Sequence, residues 1–163
     1  MKVLGIDPGY GRCGIAVVER IGSKESLVFS DCIETSADLP FAQRLKAVAD
    51  RVIDAIRVYE PEAIAIEEVY FSKNQKTAFH VAEVRGMLLY LAVNANLPVF
   101  EYNPLSIKIA ITGYGRSNKE QVTAMIERIV RPNKKIRIDD EYDAIAVGIT
   151  HLASAKNNIN TRN

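Results

Sequence analysis

The chain has no tryptophan, two cysteines, two histidines and three methionines, and aromatic residues make up only 7% of it. Two cysteines, Cys13 and Cys32, exclude a disulfide-stapled secreted scaffold, which needs a far higher thiol density. They read as reduced thiols in or near a core. Two isolated histidines, with no metal-ligand spacing to the cysteines, exclude a zinc module, so His80 and His151 read as structural. Neither sign of charge dominates: 21 Lys/Arg against 20 Asp/Glu leave +1, which neither requires nor excludes a polyanionic partner. A long apolar run is missing too. The stretch from Met87 to Val99 is too short for a membrane span and is broken by Asn94, Asn96 and Pro98. "MKV" leads straight into apolar residues with no signal-peptide pattern, so no membrane association and a cytoplasmic location are expected.

What is present is an ordinary globular composition, 48% hydrophobic and 25% charged over 163 residues. That length suits one domain burying about two thirds of its unfolded surface. Residues 2–7 read as a buried strand, 13–20 as the next after a Pro-Gly-Tyr-Gly turn, and 25–35 as a third. Their short connections predict antiparallel neighbours. Leu45, Val48, Ala49, Val52, Ile53 and Ile56 recur at helical spacing within 40–60. Pro61 then leads into "EAIAIEEVY", whose first half is apolar on both faces, as in a central parallel strand. A helix over 77–96, a strand over 97–102, a helix from Pro104, another over 119–130 and a last one from about 140 complete the order. This predicts an α/β fold, a five-stranded mixed sheet with helices on both faces. Residues 1–156 form the expected domain, and 157–163 a polar, frayed tail.

Acids stand where a fold has little structural use for them. Asp7 ends the first strand before Pro8-Gly9, Glu67 and Glu68 end the fourth, and Asp139, Asp140 and Asp143 gather at the start of the last helix. Strand-end acids at the carboxyl edge of an open α/β sheet are placed where such sheets build sites. By alternation Asp7 shares a face with Val3 and Gly5, and Glu67 with Ala63 and Ala65, the less bulky side. Helical spacing does not rank Asp139 against Asp140, since each shares a face with Asp143. Converging carboxylates repel unless cations neutralise them, and hard divalent ions accept such oxygen ligands. Taken singly, Asp7 is also explained by turn chemistry, Asp140 and Asp143 by helix capping, and Glu67-Glu68 as a solvated strand end. Positive charge is segregated as well: eight Lys/Arg against two acids lie between Lys108 and Arg137.

"LGIDPG", "AIEEVYFSKN" (65–74), "EVRG" (83–86), "PVFEY" (98–102) and "DEYDAIAVGITH" (140–151), in this order, resemble the RuvC family of bacterial Holliday-junction resolvases. The resemblance runs from about residue 2 to 152. It implies a ribonuclease-H-like fold and a homodimer that resolves four-way DNA junctions in recombination and repair by paired symmetric nicks. It further implies four carboxylates with Mg²⁺, two ions per site, Mn²⁺ substituting, and work alongside the RuvA–RuvB branch-migration complex. By motif the four are Asp7, Glu67, Asp140 and Asp143, with Asp139 and Glu68 as neighbours that could contribute. An aromatic three residues after the glutamate, here Tyr70 with Phe71 beside it, is implied to stack on an unpaired base. Lys108 and Lys119 match basic positions near the scissile phosphate, and Lys73 and Arg116 complete the expected DNA contacts. The helix over 77–96, with Ala78, Ala82 and Gly86 on one side, resembles the dimer helix, though it serves equally as core. Two rivals start from the same residues. "GID-x-G" also resembles the phosphate loop of two-domain sugar kinases and related ATPases, which needs a second copy that is missing here. A catalytically silent junction binder would not need the full acidic set.

Overall fold

The strand expected over residues 2–7 to be buried is the middle strand of the sheet, because Val3, Leu4 and Ile6 make it apolar on both faces, leaving no side for water. In the computed structural model, which describes residues 1–68 and 75–160, this strand is β1 (Lys2–Asp7). It pairs antiparallel with β2 (Arg12–Ile21), which pairs antiparallel with β3 (Lys24–Glu34). Helix α1 (Phe41–Tyr59) carries the chain back to β4 (Ala63–Glu67), parallel to β1. Helix α2 (Gln75–Asn94) leads to β5 (Val99–Tyr102), parallel to β4. The sheet order is β3-β2-β1-β4-β5, five strands and mixed as the element pattern predicts. Three helices follow: α3 (Pro104–Thr112), α4 (Lys119–Val130) and α5 (Asp139–Asn160). The helical backbone of α5 therefore continues beyond residue 156.

Alternation along the strands sorts the core into two layers. Leu4, Ile6, Ile15, Val17, Ile64 and Ile66 pack against α1 and α2 through Val48, Val52, Val84 and Leu88. Each such side chain contributes about 1.5–3 kcal/mol on full burial. Val3, Ala16, Val18 and Ala65 face the other way, against Ile107, Ile126, Ile145 and Leu152 of α3, α4 and α5. The strand residues on this second face are smaller, and glycine takes the extreme. A Cβ on Gly5 would lie 2.2 Å from the Ala144 carbonyl oxygen, and one on Gly14 would lie 1.9 Å from that of Asp140. The bare backbone lets α5 lie directly on β1 and β2.

Local chemistry ends the helices where the sequence expects. Asn103 caps α3 by accepting from the Ser106 N–H, with Pro104 in the first turn. Asn118 and Gln121 form a reciprocal capping box at the start of α4. Among the described residues no helix is long and apolar enough to cross a membrane.

Candidate active site

Asp7 closes β1 opposite Gly14 of β2. The parallel register pairs Ile6 with Ile66, so the next residues, Asp7 and Glu67, emerge side by side at the carboxyl edge. Both project to the face covered by α5. That helix begins over Gly14, so its first turns bring Asp140 and then Asp143 above the two strand-end acids. Two strand ends thus supply one half of the cluster, Asp7 and Glu67, and a single helix supplies the other, two aspartates three residues apart.

The electrostatics register this convergence. Asp7 is pushed from an ordinary value near 3.8 up to about 8, first by burial, then by the charges of Glu67, Asp143 and Asp140, with Lys119 pulling the other way. Glu67 is pushed up to about 7, chiefly by burial and then by Asp143, against the opposing pull of Lys108 and Lys119. Asp143 is also raised by burial, an effect partly offset by Lys119. Negative charge in this pocket is under-compensated by the protein alone.

Two cations partly fill that need. Lys119 Nζ lies 3.1 Å from Asp139 and 3.6 Å from Asp143, and Arg12 approaches Asp140 at 3.6 Å. Among the described residues no three Asp, Glu, His or Cys side chains stand close enough to ligate one ion. The donor set itself, all carboxylate oxygen, suits a hard divalent cation. Such an ion would compete with Arg12 and Lys119 for the same oxygens. Beside the acids, Glu67, Lys108, Lys119 and Asp143 line a cavity of about 170 Å³ floored by Ile107, Val122 and Ala146.

Asp7, Glu67, Asp140 and Asp143 come together, with Lys108 and Lys119 against them. Arg116 is exposed on the loop between α3 and α4 and is not among the residues lining that cavity. Tyr70, Phe71 and Lys73 lie outside the described residues. Asp139 is exposed and bound to Lys119, while the Glu68 N–H donates to the Tyr102 carbonyl in continuation of the β4–β5 ladder. His151 is buried under Phe100 and within 2.9 Å of the Tyr102 hydroxyl, and His80 stacks on Phe41.

Sequence reading missed Arg12, Gly5 and Gly14. The available signal was glycine inside two apolar strands, which marks a close backbone approach. Arg12 carried none, because its link to Asp140 joins the start of β2 to a helix far along the chain.

Residues 3–151 match the family described as crossover junction endodeoxyribonuclease RuvC. The crossover junction endodeoxyribonuclease RuvC of Thermotoga petrophila is 39% identical over 156 residues, which is 96% of this chain and 94% of that protein. The enzyme of the same name from Desulforamulus reducens is 40% identical over 151 residues, 93% of each chain. Among solved structures, T. thermophilus RuvC in complex with a Holliday junction substrate superposes with a TM-score of 0.91 at 33% identity, covering 97% of this chain and 96% of that one.

Proposed function

The chain belongs to the RuvC family of crossover junction endodeoxyribonucleases, and on that premise we propose that it resolves four-way DNA junctions through Asp7, Glu67, Asp140 and Asp143. Its activity is that of a Holliday-junction resolvase, a nuclease of recombination and repair with a ribonuclease-H-like fold. The observation that carries the residue assignment is the electrostatic coupling of Asp7 to Glu67, Asp143 and Asp140 at one edge of the sheet. A cluster in which burial and neighbouring acids raise the proton affinity of Asp7, Glu67 and Asp143 together is a poor structural cluster and a good cation site.

The all-oxygen donor set fits Mg²⁺, with Mn²⁺ as substitute and two ions per site. Bound there, such ions supply a nucleophilic water at neutral pH and Lewis acidity toward the phosphodiester. The chain's own residues do the rest. Asp7 and Glu67 present ligands from rigid strand ends, and Asp140 and Asp143 present theirs from α5. Lys119 and Lys108, on the walls of the adjoining cavity, donate to the phosphate oxygens on which charge grows. Arg116 and Lys73 contact the DNA backbone, and Tyr70 or Phe71 stacks on an unpaired base at the crossover.

We assign the nuclease domain to residues 1–156, its action to the cytoplasm, its functional form to a homodimer, and its partners to RuvA and RuvB. The dimer assignment draws support from α2. Phe79, Tyr90 and Val93 stand 66–71% exposed along one stripe of this helix, while Val84, Leu88 and Ala92 face the sheet. Ala82 and Gly86 lie on the exposed stripe, whereas Ala78 is buried.

The test is incubation of a synthetic four-way junction and a linear duplex of matching sequence with the protein, with and without Mg²⁺. Paired nicks at symmetric positions in the junction alone are expected. Asp7→Asn should bind the junction without cutting it; cutting by that variant in Mg²⁺ overturns the assignment of the acids.

A further inference from the structure

Five consecutive side chains at the start of α5 are tied to other parts of the fold. Asp139 and Asp143 meet Lys119, Asp140 meets Arg12, and the Tyr142 hydroxyl donates to Glu127 Oε1 at 2.7 Å. Glu141 alone among the acids of this run is turned inward, with 7% of its surface exposed. Its Oε2 accepts from Ser30 Oγ of β3 at 2.7 Å and from Lys134 Nζ at 2.7 Å. Lys134 Nζ also donates to the Ser30 carbonyl at 2.6 Å. A ring of hydrogen bonds therefore joins β3, the basic loop 131–138 and the first turn of α5. A carboxylate this deep persists only when paired and hydrogen-bonded, and the chemistry of the four acids does not call for it.

The ties differ in what survives when a cation is bound. Arg12 and Lys119 hold Asp140 and Asp143 through the oxygens that a metal would take. Glu141 holds the same turn through its own partners, Ser30 on β3, two strands from Asp7, and Lys134 in the loop before α5, rather than through the oxygens a metal would take. Side chains one or two residues apart on a helix are locked in relative direction, so fixing Glu141 fixes the bearing of Asp140 and Asp143.

We propose that Glu141 is a positioning residue, locked by Ser30 and Lys134, which sets the rotation of α5 over Gly14 so that Asp140 and Asp143 present their carboxylates to divalent ions. The proposal rests on the reading of those acids as metal ligands.

Full-length Glu141→Ala, Glu141→Gln and Ser30→Ala are compared with the unaltered protein in two measurements. One is Mn²⁺ binding to the free protein by isothermal titration calorimetry. The other is the Mg²⁺ concentration giving half-maximal junction cutting. Glu141→Ala is expected to weaken Mn²⁺ binding about tenfold or more, the usual effect of losing a group that orients metal ligands, and to raise the Mg²⁺ midpoint in parallel. Saturating Mg²⁺ should restore most of its cutting rate. Glu141→Gln keeps an acceptor oxygen and should recover most of the affinity, with Ser30→Ala between the two. A purely structural role would lower Tm yet leave Mn²⁺ affinity and the Mg²⁺ midpoint of the folded protein unchanged, and that result overturns the proposal. Where Glu141→Ala fails to fold, wild-type Mn²⁺ affinity and Mg²⁺ midpoint in Ser30→Ala overturn it equally. Failure of the unaltered protein to bind Mn²⁺ overturns the metal reading itself, and the brace with it.

Discussion

Asp7 holds its proton across most of the physiological range in the metal-free fold, because burial and three neighbouring acids push it up to about 8. The unfolded chain gives up that proton near 3.8. Between these values folding takes up a proton, so the stability contributed by neutral Asp7 is full below pH 4 and is lost as pH rises toward about 8. Glu67, pushed up to about 7, adds to the same slope over its lower part. The expected result is that metal-free protein, unfolded by denaturant in chelator, becomes less stable from pH 5 to pH 8. Asp7→Asn should flatten this dependence and gain more than about 1 kcal/mol at pH 8, about 2–4 °C in Tm for a chain of this size. Saturating Mg²⁺ should flatten the wild-type curve in turn. A wild-type curve already flat in chelator would rule out the mutual repulsion on which the site reading depends.

At the scale of elements, the site depends on how closely one helix lies on two strands and on how firmly another helix begins. Gly14 is the contact point of the first: a Cβ there meets the Asp140 carbonyl at 1.9 Å. Gly14→Ala must lift the start of α5, at a cost of about 1–3 kcal/mol typical of overpacking. It should also abolish junction cutting, although the substitution alters none of the four carboxylates and presses only on the Asp140 backbone. A folded Gly14→Ala variant with normal cutting would show that α5 has slack over β2. Asn118 sets the second helix. Its capping box with Gln121 starts α4 one residue before Lys119. Asn118→Ala should cost about 1 kcal/mol, and it should reduce the cutting rate more than junction affinity, because it loosens the residue that faces Asp143 rather than the DNA-binding surface as a whole. Equal losses in both would place Lys119 in binding alone.

For the whole molecule, paired cutting is a question of symmetry. A four-way junction presents two equivalent strands, and two matching cuts call for two copies of the site related by a two-fold axis. The exposed stripe of α2, Phe79, Tyr90 and Val93 around Gly86, is the face assigned to that axis. Within one chain a Cβ on Gly86 would meet nothing within 4 Å. Gly86→Phe should therefore leave the monomer folded while blocking close helix–helix approach. Sedimentation should show a monomer, and junction cutting should shift from paired to single nicks. A dimer that survives this substitution with paired cutting moves the interface off α2.

The linear order of residues already determined much of this. Apolar runs in 2–7 and 63–67 marked two buried strands, and the helical spacing of Val48, Val52 and Ile56 marked α1. Period and turn chemistry are local, so they are legible without coordinates. Parity likewise put Asp7 and Glu67 on one face, and motif order picked out Asp140 and Asp143. Only the tertiary structure could decide the rest. That Arg12 meets Asp140, that Gly14 admits the helix, and that Ser30 and Lys134 close on Glu141 are contacts between residues more than 100 positions apart, apart from the Lys134–Glu141 pair. No local propensity encodes such contacts. They arise because the sheet order and the packing distance of α5 bring these groups to one edge, and proton affinities follow from that crowding.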